Sequence, residues 1–207
     1  MRILCLLVAL ATLLAGCGAQ EVWAPQSELD RVRYVDDGPA ELTLITVLNA
    51  GSGNGAHSAL LINASERVIF DPAGTFGHPA IPERNDLIYG VSPAIERAFV
   101  DYHARITYDV QIQRLTVSRE TAERAFRLAQ RAGPVPKANC TRALAKLLRE
   151  LPGFEHVRMS FYPNKLADDF AQIPGVRSVF IEDDDPDLKS IEAVEALADL
   201  PAVQPSR

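Results

Sequence analysis

The side chain with the clearest chemical potential is the thiol of Cys140. Cys140 stands at the start of a predicted helix whose apolar stripe is Leu144, Leu147, Leu148 and Leu151. Unpaired backbone N–H groups and the positive end of the helix dipole at such a position favour the thiolate. The same N–H groups can hold the oxyanion formed during acyl transfer. The position is typical of a cysteine nucleophile. The alternative is a buried, inert cysteine that packs as a small hydrophobic side chain.

A cysteine nucleophile needs a base, and the chain has four histidines. His57 follows a glycine loop and opens an apolar strand, a placement that exposes an imidazole at the end of a strand. The alternative for His57 is a structural role in which its nitrogens bond to the backbone. We expect His156 and His103 to be solvated, and His78, in a proline-rich loop, is the weaker alternative base.

Asp71 completes the predicted catalytic group. It ends the third predicted strand, and a hairpin of the second and third strands would place it beside His57. A carboxylate there fixes the imidazole tautomer and stabilises its protonated form. The segment 71–74 (DPAG) is also ordinary turn sequence. No metal or other cofactor is predicted, because no pair of histidines and carboxylates has the spacing of metal ligands.

The elements that position these residues follow from hydrophobic periodicity and from helix caps. The polar link 63–66 indicates the hairpin. Strands and helices are mixed without regular βαβ alternation, so the predicted fold class is α+β. The predicted strands are 41–49, 57–62, 67–71, 110–117 and 176–181, and the predicted helices are 93–103, 118–132, 140–151, 163–171 and 191–200.

The N-terminus predicts export and a lipid anchor. Arg2 precedes an apolar run, 3–14, that is too short to span a bilayer, and the run ends in Leu-Ala-Gly-Cys at residues 14–17. These four residues resemble a lipobox, which implies cleavage before Cys17 and a diacylglyceryl group on its sulfur. Gly18 after the anchor favours the outer over the inner membrane. The predicted divisions are a signal peptide (1–16), an anchor and tether with one short ordered piece (17–39), one domain (40–200) and a tail (201–207).

The cysteine count and the charge narrow the function. Cys5 leaves with the signal and Cys17 carries lipid, so Cys140 is the one free thiol of the mature chain and no disulfide forms within it. The net charge of -6 comes with no basic stripe, which excludes nucleic acid as a partner. The acidic run 183–187 lacks EF-hand spacing, so we expect a solvated loop.

The hairpin HSALLINASERVIFDPAG (57–74), followed much later by NCTRALAKLL (139–148), resembles the circularly permuted papain-like cysteine enzymes. That group is related to the NlpC-type envelope peptidases and includes the lecithin:retinol acyltransferase-like proteins. The resemblance covers about residues 42–170. It implies a papain-like domain in which a small antiparallel sheet packs against the nucleophile helix. In this domain His57 would be the base, Cys140 the nucleophile and Asp71 the third polar residue of the site, on the strand next to that of His57. The acyltransferase members differ from this chain at two places. They carry a second histidine where this chain has Asp71, and their characteristic residues after the cysteine are replaced here by residues 141–143 (TRA).

The resulting hypothesis is a thiol hydrolase or acyltransferase of the cell envelope. Its substrate would be an amide or ester in a peptide, a peptidoglycan stem or a lipid-linked molecule, and its membrane contact would be the lipid on Cys17. The alternative is a non-catalytic envelope lipoprotein that uses the same fold for binding or as a scaffold. An inactive site would have Cys140 buried or far from His57.

Overall fold

The computed structural model of the protein describes Ala19 and residues 21–182. The predicted lipid-attachment residue Cys17 lies outside the described residues. So do the signal segment 1–16, the acidic run 183–187, the predicted helix 191–200 and the tail 201–207.

Within the described residues, seven strands form one antiparallel sheet in the order β4-β5-β3-β2-β1-β6-β7. The predicted α+β class is confirmed. Two of the strands, β4 and β5, fall in the span 72–90 that shows no periodicity, because two-residue strands are too short to show a repeat. The strands are β1 Glu41–Asn49, β2 Gly55–Asn63, β3 Arg67–Phe70, β4 Glu83–Arg84, β5 Leu87–Ile88, β6 Tyr108–Thr116 and β7 Arg177–Ile181.

Five helices accompany this sheet in the part of the chain that the structure describes. Their predicted starts are close to the observed ones, because capping is local chemistry. The Ser92 hydroxyl accepts from the N–H of Ile95, and the Ser118 hydroxyl accepts from the N–H of Thr121. The helices are α1 Gln26–Val32, α2 Pro93–His103, α3 Arg119–Gln130, α4 Cys140–Leu148 and α5 Pro163–Ala171.

Two apolar clusters lie on opposite faces of the sheet. On one face, α4 contributes Leu144 and Leu148 to a cluster that includes Leu60 and Ile62 of β2. On the other face, α2 packs on the alternate residues of the same strand, among them Leu61. Side chains alternate along a strand, so the continuous apolar run of β2 serves both faces.

The predicted hairpin of β2 and β3 is confirmed. The two strands pair antiparallel, with Leu60 opposite Phe70 and Asn63 opposite Arg67. The link between them, 64–66, brings the end of β3 back towards the start of β2. Because α4 packs against β2 through the shared cluster, the hairpin and the Cys140 helix form one packed unit.

The folded unit begins earlier than the predicted boundary at residue 40. The ordered piece expected in the tether is α1, whose Leu29 and Val32 are buried in the same cluster as α4. These two side chains share one face of the helix because they are three residues apart. Burial of this apolar pair holds most of the expected tether against the domain.

Candidate active site

Asp71 and His57 form a direct hydrogen-bonded pair. The Nε2 atom of His57 lies 2.6 Å from Oδ1 of Asp71. Asp71 immediately follows the last residue of β3, and only 4% of its surface is exposed. The hairpin therefore places the carboxylate against the imidazole, as its sequence predicts.

The Cys140 thiol lies against the same imidazole. Hydrogen-bond and charge interactions between the two side chains shift the pKa of both groups. Since Nε2 is taken by Asp71, we infer that Nδ1 faces the sulfur. Two side chains from distant parts of the sequence thus meet, and all three predicted site residues lie in one group.

The helix and the imidazole approach from opposite faces of the sheet. His57 points to the face where α2 packs, since it alternates with Ser58 along β2, whereas Cys140 begins the helix on the other face. The contact is possible because β3 ends early. The register that pairs Leu60 with Phe70 would place residue 73 opposite His57, but β3 stops at Phe70. The thiol lies against this uncovered edge of β2, where it accepts the backbone N–H of Ser58.

The electrostatics of the group favour a thiolate and an imidazolium. Burial alone would lower the pKa of His57, but the hydrogen bonds and charges of Asp71 and Cys140 raise that pKa to about 10. Burial would likewise raise the pKa of the Cys140 thiol. The hydrogen bond and charge of His57, with smaller contributions from the Thr141 hydroxyl and the Ser58 N–H, hold that pKa below its usual value.

Asp86 connects the turn after Asp71 with the loop before Cys140, and the sequence did not predict this role. Its Oδ1 accepts the N–H of Ala73 at 2.8 Å, and its Oδ2 accepts the N–H of Val135 at 2.7 Å. Its backbone oxygen accepts the N–H of Asp71 at 2.8 Å. Asp86 thus holds the turn beside the Asp71 carboxylate and the loop that leads to Cys140. It lies in the span without periodicity, so no sequence signal marks it.

The expectation that His103 is solvated was wrong. His103 ends α2, and its ring stacks on that of His57 with the centroids 5.7 Å apart and the planes 13° apart. Its Nδ1 donates to the backbone oxygen of Phe99 at 2.8 Å, which fixes the ring. Of the other two histidines, His156 is exposed and His78 is half-buried, and both lie outside this group. Nε2 of His156 donates to the backbone oxygen of Asp169, and Nδ1 of His78 accepts from Ala80.

A pocket of about 450 Å³ opens on the α2 side of His57. Three aromatic side chains, Tyr102, His103 and Tyr108, are among its lining residues. Cys140 is 7% exposed and does not line this pocket. The imidazole therefore stands between the pocket and the sulfur.

Asn164 holds the glycine loop that precedes His57. Its side-chain Nδ2 donates to the backbone oxygen of Gly53 at 2.8 Å, and its Oδ1 accepts the N–H of Gly55. A Cβ at Gly55 would lie 2.5 Å from Oδ1 of Asn164 and 2.5 Å from Cβ of Pro163, so only glycine fits there. Asn164 thus ties the N-terminus of α5 to the start of the His57 strand.

Among the described residues, no group of three or more His, Cys, Asp and Glu side chains has the arrangement of a metal site. In the same part of the chain, every helix is too short or too polar to span a membrane. Comparison of the chain with protein-family models, curated proteins and solved structures found no match.

Proposed function

We propose that the protein is a lipid-anchored cell-envelope enzyme that cleaves or transfers an acyl group through Cys140, His57 and Asp71. The observation that carries the proposal is the continuous chain of contacts from carboxylate to imidazole to thiol. Such a chain is the arrangement that activates a nucleophilic cysteine. The bond would be an amide or an ester in a peptide, a peptidoglycan stem or a lipid-linked molecule.

The permuted papain-like relationship is part of this proposal. Its support is the order of the site along the chain, with the His57 strand before the Cys140 helix, and the packing of that helix on the hairpin. The envelope location rests on the lipobox resemblance around Cys17. Its test is metabolic labelling with radioactive palmitate, in which we expect the wild type to label and Cys17→Ser to remain unlabelled.

The chemistry follows from the charge distribution. The thiolate of Cys140 attacks the carbonyl carbon, and the carbonyl electron pair moves onto oxygen. His57 then gives its proton to the leaving amine or alkoxide, and the acyl group remains on sulfur as a thioester. A water or another acceptor attacks this thioester after losing a proton to His57, and the thiolate is released. Asp71 holds the ring in the tautomer that both proton transfers need.

The start of α4 is suited to hold the oxyanion. The first backbone N–H groups of an α-helix have no partner within the helix. The Asn139 side chain at this end does not cap them, because its amide donates to the backbone oxygen of Lys137 at 3.1 Å. The first-turn N–H groups can therefore bind the negative oxygen of the tetrahedral intermediate.

The second candidate function is a non-catalytic binding domain. The burial of Cys140 and its absence from the pocket wall favour it, since a nucleophile must reach its substrate. The thiol contact with His57 favours the enzyme. Reactivity of the thiol separates the two, because an inert core cysteine resists alkylation.

The decisive experiment is the rate of Cys140 alkylation by iodoacetamide as a function of pH. For the wild type we expect a midpoint below the free-thiol value of about 8.5. For His57→Ala we expect a midpoint above that value, because burial still raises the thiol pKa while its cationic partner is gone.

The matched control is His78→Ala, which removes a half-buried histidine outside the site and should leave the wild-type profile unchanged. Cys140→Ser identifies the labelled residue. If wild type and His57→Ala titrate alike near the free-thiol value, the dyad does not exist. Cys140 would then be an ordinary cysteine of a binding domain.

A further inference from the structure

The N-terminal edge of the described chain lies beside the catalytic carboxylate. Ala19 and Val22 line a cavity of about 360 Å³ together with Asp71. The same cavity is lined by Asp86 and by Lys137, which belongs to the loop before Cys140. The chain therefore enters the domain at the site itself.

Residues 22–24 are fixed on the domain at this edge. The backbone oxygen of Val22 accepts the N–H of Asn85 at 2.6 Å, and the N–H of Ala24 donates to Glu83 at 3.0 Å. Nε of Arg84 donates to the backbone oxygen of Ala24 at 2.9 Å. These bonds remove the freedom that a tether would need in this segment.

Trp23 projects from the fixed segment. Its surface is 61% exposed, and one face of its indole is covered by the guanidinium of Arg84, 4.7 Å from the ring centroid. An exposed tryptophan is an unfavourable surface residue in water, whereas the indole ring suits the headgroup level of a membrane. The neighbouring loop adds Pro79 and Ile81, which line a groove with Trp23.

The distance from the proposed anchor to this edge is short. Cys17 precedes Ala19 by two residues, which span at most about 7 Å of extended chain. A lipid on Cys17 would thus hold Ala19 close to the membrane surface. Because the segment from Val22 onward is bound to the domain, the domain cannot move far from that surface.

We infer that the edge bearing Ala19, Trp23 and Ile81 rests on the lipid surface to which Cys17 is anchored, with the indole of Trp23 at headgroup level. The inference rests on the proposed lipidation of Cys17 and goes beyond it. The site stands at the same edge, so its substrate is an amide or ester presented at the membrane. Of the substrates proposed above, this position favours a lipid-linked molecule over a peptidoglycan stem.

The charge of this edge shows what holds it in place. The cavity wall carries the carboxylates of Asp71, Glu83 and Asp86 with one lysine, Lys137. An acidic wall is repelled by anionic headgroups, so electrostatics alone would not bring the domain to the bilayer. The covalent lipid therefore acts first, and Trp23 sets the orientation afterwards.

Trp23 is the only tryptophan of the chain, so its fluorescence reports on this contact directly. The full, lipidated protein would be reconstituted in phosphatidylethanolamine–phosphatidylglycerol vesicles that contain phospholipids brominated near the carboxyl end of the acyl chains. We expect the bromines to quench Trp23 emission, and the emission maximum to shift to shorter wavelength than for Cys17→Ser in buffer. A flexible insertion of about twelve Gly and Ser residues after Gly18 adds a mean reach of roughly 20 Å and should reduce the quenching.

The matched control moves the reporter to the far edge of the sheet. The double variant Trp23→Phe with Phe180→Trp keeps one tryptophan, on β7, which is six strand spacings of about 4.8 Å from β4. Its emission should stay unquenched.

Flotation of the vesicles separates the outcomes. A wild-type protein that does not float with the vesicles overturns both the lipidation and the orientation. One that floats with Trp23 unquenched, or quenched no more than the far-edge reporter, overturns the orientation alone. A blue shift that appears on self-association without lipid would instead assign the edge to a second copy of this chain.

Discussion

At the scale of single residues, the position of the Asp71 carboxylate depends on a glycine three positions later. The N–H of Gly74 donates to the backbone oxygen of Asp71 at 2.9 Å, which closes the turn after β3. A Cβ at Gly74 would lie 1.8 Å from Oδ2 of Asp71. No side chain can therefore be added at Gly74 unless the carboxylate moves.

Gly74→Ala should displace Asp71 from His57 and weaken the activation of Cys140. We expect the midpoint of the alkylation profile to move towards that of Asp71→Ala, because in both variants the imidazolium loses its partner. The residual reactivity should exceed that of His57→Ala, since the base remains. The control is Gly77→Ala, where an added Cβ meets nothing within 4 Å. A wild-type profile for Gly74→Ala would show that Asp71 does not need its observed position.

At the scale of elements, the site depends on where strands stop. Because β3 ends at Phe70, the edge of β2 beside His57 and Ser58 is open to the thiol. One residue of the connection between β4 and β5, Asp86, then supports the turn after β3 and the loop before α4. The group formed by His57, Asp71 and Cys140 is thus assembled from the ends of β2, β3 and α4.

Asp86→Asn should lower both stability and thiol reactivity. An amide keeps one acceptor oxygen, so either Ala73 or Val135 faces an NH₂ group and loses its hydrogen bond. We expect a loss of about 1–3 kcal/mol in the free energy of unfolding, measured by urea titration. Cys140 alkylation at neutral pH should slow as well. Asp37→Asn, at an exposed position, is the control and should change neither quantity. Unchanged alkylation in a destabilised Asp86→Asn protein would limit Asp86 to a structural role.

At the scale of the whole molecule, the half-buried carboxylate of Glu96 connects α2 to two strands of the sheet. Glu96 of α2 pairs with Arg67 of β3 and with Arg114 of β6, the latter at 2.5 Å. Its side chain is 13% exposed. Burial would raise the pKa of Glu96, but the hydrogen bonds and charges of the two arginines lower it below its usual value. This network joins the helix that carries His103 to strands on both sides of the central β2–β1 pair.

Glu96→Gln should reduce the free energy of unfolding by about 1–3 kcal/mol at neutral pH. A carboxyl whose folded pKa is depressed contributes stability above its unfolded pKa, and that contribution is lost as pH falls through the folded value. The difference between wild type and variant, measured by urea titration, should therefore shrink below about pH 4. The control, Glu150→Gln, breaks an exposed pair with Arg124 at 3.7 Å and should cost less than about 1 kcal/mol. A difference that does not vary with pH would contradict the proposed charge interaction.

The five longer strands, the helices between residues 93 and 171 and one contact of the site were predictable from the sequence alone. Apolar periodicity and the caps at Ser92 and Ser118 depend on residues a few positions apart, so they can be recognised along the chain. The short polar link 63–66 predicts the hairpin, and the hairpin register brings Asp71 to His57. These predictions succeeded because each rests on local interactions.

Only the tertiary structure decided how the thiol reaches the imidazole. The meeting of Cys140 with His57 requires helices on opposite faces and a strand that ends at Phe70, and neither condition is local. The roles of Asp86, the stacking of His103 and the docking of α1 likewise depend on contacts between distant segments. Side-chain partners across a sheet are chosen by packing in three dimensions, which periodicity along the chain does not record.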